Sequence, residues 1–249
     1  MIILGLNFFH ADTSAVLIKD NEIIAAVEEE RFSRIKHFSG FPVQSINYCL
    51  DQANIKINEV DIVSVNSNPY YNLDKKIIFA FSNPFQIKSY FNRLKRLKSK
   101  ISIRENLYRF FGYTKKIEIN YVPHHLSHAS SSVLCSGLNE GISLSFDATG
   151  DFSTIEVYEF NKKNFSKLDS IKFPHSIGIL YQAVTQFLGF KSYGDEYKVM
   201  GLAAYGKPKY IEDIKKLYSF KGRKFKLNLE YFLHHKIGFN FSFKSWTLG

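Results

Sequence analysis

Short apolar segments separated by polar turns predict a chain that mixes strands and helices. Three strands are predicted at the start, at residues 2–6, 14–18 and 23–27, because each is a run of apolar or β-branched residues bounded by polar ones. A helix is predicted over residues 42–53, where apolar positions recur on one face. A short buried strand follows at residues 62–65.

The second half of the chain repeats the plan of the first. A strand at residues 117–122 leads into a helix that begins at His124 and reaches about residue 138. The remaining predicted elements are a second three-stranded meander and a helix, at residues 142–146, 154–160, 167–173 and 176–188. Each meander has an apolar strand, a loop with Asp and Thr or Ser, a β-branched strand, a charged turn and a third strand. This repetition predicts a duplicated, two-lobed α/β fold.

The repeat divides the chain into two predicted lobes. The first covers residues 1–139 and includes an insertion at about 70–116, and the second covers residues 140–249. The second lobe lacks the later alternation of strands and helices that the first lobe has. We therefore expect the chain to contain only the beginning of that lobe.

Most of the formal net charge of +10 lies in the insertion. Residues 86–116 contain ten basic residues and one acidic residue, so the rest of the chain is close to neutral. A basic helical face can bind nucleic acid, anionic lipid or an acidic partner. Charge runs more often mark a solvated surface. We therefore expect a solvent-facing helical insertion and no nucleic-acid site.

Cysteine usage and hydropathy predict a cytoplasmic protein. Cys49 and Cys135 lie far apart and have no CxxC spacing, which argues against a disulfide framework or a thiolate metal site. The apolar start of the chain is too short for a signal peptide. No uncharged apolar run approaches the length that a membrane span needs.

The strongest chemical signal is a histidine cluster where a predicted strand meets a predicted helix. His124 and His128 are one helical turn apart, so both imidazoles can reach one ion. His125 and His128, which are three residues apart, could also reach one ion, but with a less favourable alignment. Histidines also cap helices, but three of them in one turn favour a metal site. Imidazole suits zinc, iron and other borderline cations.

Two further segments carry polar groups in suggestive places. Asp147 directly follows a predicted buried strand, where it could complete a site of two histidines and one carboxylate, or merely close an Asx-turn. In residues 194–202, glycines frame a charged cluster with Lys198. Backbone amides beside glycines can cradle phosphate together with an ammonium group. This segment is not a Walker A loop.

Several motifs, in the right order, resemble those of the NodU/CmcH O-carbamoyltransferases. They cover most of the chain, and the basic stretch is the least distinctive part. The motifs are Leu4-Gly5-Leu6-Asn7 with His10, Asp12 and Ser14; Val27-Glu28-Glu29-Glu30-Arg31-Phe32; Arg34-Ile35-Lys36-His37; His124-His125-Leu126-Ser127-His128-Ala129; residues 147–151 and 181–190; and Tyr197-Lys198-Val199-Met200-Gly201-Leu202-Ala203.

The resemblance implies a fold and a reaction. The fold is an actin-like, sugar-kinase-like (ASKHA, ribonuclease H-like) two-lobed domain, here with a truncated second lobe, related to the enzyme that puts threonylcarbamoyl on tRNA. In the family, a separate YrdC-like domain makes carbamoyl-adenylate from carbamoyl phosphate and ATP. The ASKHA-like domain then moves the carbamoyl group to a hydroxyl of a sugar or another small molecule.

The resemblance also implies roles for particular residues. The metal ligands would be His124, His128 and Asp147, holding an iron-type divalent ion, with a further aspartate expected after Gly249. The catalytic residues facing the acceptor or the adenylate would be His10, Asp12 and Lys36. The nucleotide side would be formed by Lys198, Gly201, Thr149 and Gly150.

Two other readings stay open. The chain could be an inactive remnant, or a non-catalytic subunit that needs a partner chain carrying the missing C-terminal half. It could also bind nucleic acid through the basic insertion. The preferred prediction is a carbamoyltransferase fragment that acts on a hydroxylated small molecule or glycan precursor.

Overall fold

The protein is a mixed α/β structure, here described from a computed structural model. Residues 1–82, 103–114 and 116–237 are described. The strands are β1 (Ile2–Asn7), β2 (Ser14–Lys19), β3 (Glu22–Glu28), β4 (Ile62–Val65), β5 (Glu118–Tyr121), β6 (Glu140–Gly150), β7 (Ser153–Asn161), β8 (Asn164–Lys172), β9 (Tyr218–Lys221) and β10 (Lys224–Leu227). The helices are α1 (Glu30–Ser33), α2 (Val43–Ala53), α3 (Leu73–Ser82), α4 (Ile103–Phe111), α5 (His124–Ser136), α6 (Ile177–Phe187), α7 (Glu196–Ala203), α8 (Ile211–Lys215) and α9 (His234–Ile237), with a 3-10 turn at Ile57–Glu59.

The described residues form two compact units. Unit 1 contains residues 1–70 and 103–124, and unit 2 contains residues 71–82 and 125–237. The division falls between the first two residues of α5, so nearly all of this helix belongs with the strands that follow it. The lobes at 1–139 and 140–249 stay a prediction.

Unit 1 is built on a five-stranded sheet with the order β3-β2-β1-β4-β5. The first three strands form an antiparallel meander, whereas β4 and β5 run parallel to β1. Leu4 and Leu6 are buried on one face of β1. A side chain at Gly5, between them, would meet Val16 of the neighbouring strand at 2.6 Å. The glycine therefore allows β1 and β2 to pack closely.

Helix α2 covers β2 and β3 and completes the core of unit 1. Its apolar face buries Ile46, Cys49 and Leu50. Its first turn is capped by the buried carboxylate of Glu29, which accepts hydrogen bonds from the backbone amides of Gln44 (3.0 Å) and Ser45 (2.7 Å). A negative charge is favourable there because the N-terminal amides of a helix lack partners within it.

Unit 2 contains an antiparallel sheet with the order β6-β7-β8 and the two-stranded ribbon β9–β10. Helix α6 begins at the capping residue Ser176, whose hydroxyl accepts a hydrogen bond from the amide of Ile179. The helix packs on β6. The apolar core gathers residues from the helix, from the ribbon and from the segments beside these elements: Phe173, Ile179, Ala183, Leu217, Phe225, Leu227 and Phe232.

The two predicted three-stranded meanders are confirmed, since residues 2–28 and 140–172 form separate antiparallel meanders. The predicted end of the strand at residue 146 is wrong, because β6 continues to Gly150. Its pairing with β7 is interrupted between Phe146 and Gly150, so the polar residues between them lie in an irregular part of the strand.

The basic stretch at residues 86–116 lies mostly outside the described residues. Within it the structure describes α4, which buries Ile103 and Leu107. The prediction that this stretch forms a solvent-facing surface without a nucleic-acid site therefore stays a prediction. No helix in the described part of the chain has the length and the apolar character that crossing a membrane requires.

Candidate metal centre and neighbouring polar groups

Helix α5 and strand β6 bring three potential metal ligands together. His124 and His128 lie one turn apart on α5, and Asp147 lies in the irregular part of β6. One nitrogen or oxygen atom from each of these side chains lies within 4.8 Å of the other two. The distance between His128 Nε2 and Asp147 Oδ2 is 3.9 Å. The structure therefore brings together the three residues that were predicted as ligands.

The donor set fits a borderline divalent cation. Two imidazoles and one carboxylate form the facial arrangement that leaves positions open for substrate or water. With metal–ligand bonds of about 2.0–2.2 Å, the ligand atoms need to come somewhat closer than they are here. Rotation of exposed side chains can supply this movement, since His128 is 54% exposed and Asp147 is 30% exposed.

His125 has a different place from its two neighbours. Its side chain is buried, and its Nδ1 lies 2.8 Å from the hydroxyl oxygen of Ser145 on β6. This hydrogen bond ties α5 to the sheet of unit 2. The alternative in which His125 joins His128 as a ligand is therefore not favoured.

The backbone around Asp147 is held from two sides. Its carbonyl oxygen accepts a hydrogen bond from the hydroxyl of Ser176, and its carboxylate accepts one from the amide of Ala148 at 2.6 Å. Gly178, in the first turn of α6, lies against the same backbone. A Cβ there would be 2.7 Å from the nitrogen of Ala148 and 2.9 Å from the carbonyl carbon of Asp147. Sequence reasoning missed this glycine, because only the helix–strand packing reveals its role.

The predicted catalytic residues of unit 1 lie on two neighbouring loops. The ring of His10 lies 6.2 Å from that of His124, measured between centroids. Asp12 Oδ1 lies 2.8 Å from Nδ1 of His37, which was not among the predicted site residues. The ammonium of Lys36 donates to Glu30 at 2.9 Å. This hydrogen bond lowers the pKa of Glu30 and raises that of Lys36. The structure thus pairs Asp12 with His37, and Lys36 with Glu30.

The residues predicted for nucleotide binding lie in two places within unit 2. Thr149 and Gly150 lie at the end of β6. Lys198 and Gly201 lie inside helix α7, and the ammonium of Lys198 is 2.7 Å from the Asp195 carboxylate. Since residues 196–203 are helical, the amide of Gly201 lies beyond the first turn, where amides are taken up by hydrogen bonds within the helix. The nucleotide assignment stays a prediction.

A buried charged network around Glu156 was also missed. Its carboxylate is fully buried on β7 and accepts hydrogen bonds from Ser153 (2.7 Å), Tyr158 and Tyr71, while Lys172 lies at 3.3 Å. Burial alone would raise the pKa of Glu156, but the hydrogen bonds from Tyr158 and Ser153 and the nearby lysine charges outweigh it and lower the pKa. A charged residue in a strand is usually expected on the exposed face, so the sequence did not indicate that Glu156 is buried.

The sequence matches a known family over almost its whole length. The family model described as "Carbamoyltransferase N-terminus" matches residues 2–245. The chain therefore belongs to this carbamoyltransferase family.

Individual relatives agree with that membership. An uncharacterized protein, sll1178 of Synechocystis, is 36% identical over 92% of this chain and 39% of its own length. The nodulation protein NolNO of Sinorhizobium fredii is 35% identical over 84% of this chain and 30% of its own length. The chain thus spans between three tenths and two fifths of the length of these relatives. Among solved structures, YeaZ from Pseudomonas aeruginosa matches with a TM-score of 0.34 and 11% identity, over 70% of this chain and 69% of that one.

Proposed function

We propose that this chain is the metal-holding part of an enzyme that transfers a carbamoyl group to a hydroxyl of a small molecule. The observation that carries the proposal is the convergence of His124, His128 and Asp147 in a chain of the carbamoyltransferase family. The proposed donor is carbamoyl-adenylate, made from carbamoyl phosphate and ATP by another part of the complete enzyme. The proposed acceptor is a sugar, a glycan precursor or a similar hydroxylated compound.

The proposed ion is an iron-type divalent metal. His124 and His128 would supply nitrogen ligands and Asp147 an oxygen ligand. Such an ion, when bound, supplies Lewis-acid stabilisation of the negative charge that develops in acyl transfer. The hydrogen bond from Ser176 to the Asp147 carbonyl supports the proposal, because it fixes the backbone that presents the carboxylate.

His10, Asp12 and Lys36 are proposed to bind and orient the acceptor or the adenylate. His10 lies beside His124, so it is well placed to contact a group held near the metal ligands. Lys36 is held by Glu30 and keeps its positive charge, so it can attract the phosphate of the adenylate. Lys198, Gly201, Thr149 and Gly150 are retained as the proposed nucleotide contacts.

The test is AMP release from synthetic carbamoyl-adenylate, followed with Fe²⁺ under anaerobic conditions. The wild-type chain should release AMP faster than buffer with Fe²⁺ alone, and the His124→Ala, His128→Ala variant should not. A Ser131→Ala variant on the same helix is the control, because its side chain bonds only within the helix. Equal rates for the wild type and the double variant would contradict the proposal.

A second proposal is that the chain acts together with a partner carrying the part of the relatives that lies outside the matched region. The supporting observation is an apolar strip on β6, where the side chains of Ile142, Leu144 and Phe146 are each more than half exposed. These residues alternate along the strand, so they share one face. Contiguous apolar surface of this kind marks interaction sites.

The partner is tested by mixing the chain with the non-matching part of NolNO, expressed separately. Size-exclusion chromatography should detect a complex with the wild type, and Leu144→Thr, Phe146→Thr should weaken it. Both threonines keep the strand preference of the replaced positions. A complex that both versions form equally well would place the interface elsewhere, and no complex at all would leave the proposal without a partner.

The proposed setting is the cytoplasm. Cys49 and Cys135 are both free thiols in the structure. Burial raises the pKa of the Cys49 thiol to about 11, so this thiol is unreactive. Free thiols fit a reducing compartment.

A further inference from the structure

The ribbon β9–β10 of unit 2 carries basic side chains on one of its faces. Its register pairs Lys221 with Lys224 and Ser219 with Lys226. Residues directly opposite each other in an antiparallel pair point the same way, so these four side chains share a face. All four residues are exposed, and so is Arg223 in the turn between the strands. The ribbon therefore presents a cluster of cations over a few residues.

The other face of the ribbon is apolar and belongs to the core of unit 2. Phe225 and Leu227 are buried in this core, and Tyr218 packs against it. Between the strands, Gly222 has a φ of 62°, the left-handed conformation that a two-residue hairpin turn favours. The packing of the apolar face thus holds the ribbon on the unit and leaves the lysines on the outer face.

The charges on the outer face are not balanced by acidic groups. Lys224 donates a hydrogen bond to the carboxylate of Asp169 on β8. Within the part of the chain that the structure describes, Lys221, Arg223 and Lys226 form no ion pair. Like charges that lie directly opposite each other destabilise a strand pair. Since Lys221 and Lys224 are such a pair, this arrangement lowers the stability of the ribbon.

The helix before the ribbon shows the ordinary arrangement of surface charges. Helix α8 packs against β9. In α8 and at its C-terminal cap, the ammonium groups of Lys215 and Lys216 lie 2.7 Å from Glu212 and 2.8 Å from Asp213. A solvated helix surface commonly alternates both signs of charge in this way. Lysines on a ribbon also discourage pairing of its edges, but that role does not require like charges opposite each other.

An apolar side chain lies beside the cations. Phe220, next to Lys221 in the sequence, is 66% exposed, although its ring touches that of Phe225 with 5.9 Å between centroids. Aromatic rings next to basic side chains suit the interface of a bilayer, where the ring enters the headgroup region and the cations meet lipid phosphates. Charge and exposed ring together therefore fit one kind of partner.

We infer that the ribbon, residues 218–227, binds the surface of a membrane that contains anionic phospholipids. Lys221, Arg223 and Lys226 contact the headgroup phosphates, and Phe220 enters the interface beside them. Each cation near such a surface contributes a factor of roughly five to binding. This is attachment to one leaflet, and it adds to the proposed carbamoyl transfer without depending on it.

A nucleic acid also attracts cations, but the ribbon suits it less well. Sites for single strands combine a basic groove with aromatic side chains on which the bases stack. Here Tyr218 and Phe225 lie on the face opposite to the lysines, so they offer no such platform. The exposed ring of Phe220 gains from burial in a bilayer interface, whereas the phosphates of a duplex give it no apolar contact.

The test is co-sedimentation of the chain with vesicles of phosphatidylcholine, alone or mixed in equal parts with phosphatidylglycerol. The wild type should bind the mixed vesicles and not the neutral ones, and added salt should weaken the binding. The triple variant Lys221→Gln, Arg223→Gln, Lys226→Gln should bind on the order of 10²-fold more weakly, because three factors of roughly five are lost. Phe220→Thr should weaken binding without changing its dependence on salt.

A second triple variant controls for net charge. Lys56→Gln, Lys162→Gln, Lys163→Gln removes three exposed lysines that lie outside the ribbon, and it should bind as the wild type does. Thermal unfolding checks that the ribbon variant is folded. It should be at least as stable as the wild type, because the substitutions remove repulsion between neighbouring cations.

Four results would overturn the inference. The first is wild-type binding that is no stronger to mixed than to neutral vesicles. The second is equal weakening in both triple variants, which would mean that net charge alone matters. The third is full binding by the ribbon variant, which would place the lipid contact elsewhere. The fourth is tighter binding of a fluorescent RNA oligomer than of mixed vesicles at the same salt, lost in the ribbon variant, which would assign the surface to nucleic acid.

Discussion

The phenol oxygen of Tyr71 lies 3.2 and 3.1 Å from the two carboxylate oxygens of Glu156, although the residues are 85 positions apart. Tyr71 also accepts a hydrogen bond from Lys167 at 2.6 Å. The next residue, Asn72, donates to the carbonyl of Asp151 at 2.9 Å. The start of the segment at residues 71–82 is therefore fastened to β7 and to the turn that follows β6.

This arrangement predicts that Glu156 is important for stability. Glu156→Ala should lower the free energy of unfolding by roughly 3–5 kcal/mol, because Lys172 and the hydroxyls around the carboxylate lose their common partner inside the protein. Tyr71→Phe should lower it by only about 1–2 kcal/mol, since it removes the donor to Glu156 and the acceptor of the part-exposed Lys167 but keeps the ring and leaves the other partners of Glu156 in place. Urea unfolding followed by circular dichroism measures both. Equal effects of the two variants would contradict the central role of Glu156.

The same carboxylate predicts loss of stability in acid. The pKa of Glu156 in the folded protein lies below the ordinary value of 4.5. Its contribution is therefore complete above the pKa of the unfolded chain and is lost as the pH falls through the folded pKa. Glu156→Gln should flatten the fall in stability below about pH 4.5, when unfolding is measured as a function of pH. A fall of the same steepness in Glu156→Gln would assign it to other groups.

The buried imidazole of His234 should make the stability of the protein depend on pH in a less acidic range. Burial lowers its pKa from 6.5 to about 4, against the opposing hydrogen bond to the carbonyl of Pro174. Between these values the unfolded chain binds a proton that the folded protein does not. Stability should therefore fall as the pH drops from 6.5 to 4, by roughly 3 kcal/mol in total.

The variant His234→Phe isolates this effect. Phenylalanine keeps a ring next to Phe173 and Phe232 but does not titrate. It should be less stable at pH 7.5, because the carbonyl of Pro174 loses its donor, and it should lose less stability between pH 6.5 and 4 than the wild type. Parallel stability curves for the two proteins would show that His234 is not the titrating group.

Gly178 and Gly201 form a pair with opposite predicted behaviour. In Gly178→Ala, the new methyl group would collide with the backbone at Asp147 and Ala148, so α6 or β6 must move, at a cost of roughly 1–3 kcal/mol. Gly201 lies inside α7 with open space around its Cα, so Gly201→Ala should stabilise by about 0.5–1 kcal/mol. Thermal unfolding measures both changes. A stable Gly178→Ala with unchanged metal affinity would rule out the role of this glycine in placing Asp147.

Retention of a bound metal ion should depend on all three side chains of the candidate metal centre. After loading with Fe²⁺ without oxygen and removal of excess ion, the wild type should retain metal that His124→Ala, His128→Ala and Asp147→Ala each retain less well. An ion that is held by three protein ligands is bound weakly once any one of them is removed. Elemental analysis before and after dialysis against a chelator measures this. Ser131→Ala is the control, and metal retention by all variants alike would mean that the ion binds elsewhere.

The sequence by itself determined the local elements and the pairing of two of the three residues in the candidate metal centre. The strands of both meanders follow from runs of apolar and β-branched residues, and α2 follows from its apolar face. His124 and His128 could be paired in advance, because a helix places residues four apart on the same face. These are relationships over a few residues, where backbone geometry alone fixes which side chains are neighbours.

Only the tertiary structure decided which distant groups meet. The irregular pairing of β6 sets where Asp147 lies. The loop after β1 and the loop after α1 come together so that His37 contacts Asp12. Tyr71 contacts Glu156 because the fold places the segment before α3 beside β7, 85 positions later in the sequence. Such contacts depend on strand register, turn conformation and helix packing, each of which is fixed by many weak interactions across the whole unit. A periodic pattern in the sequence predicts which side chains share a face of one helix or strand. It does not predict which distant elements come into contact.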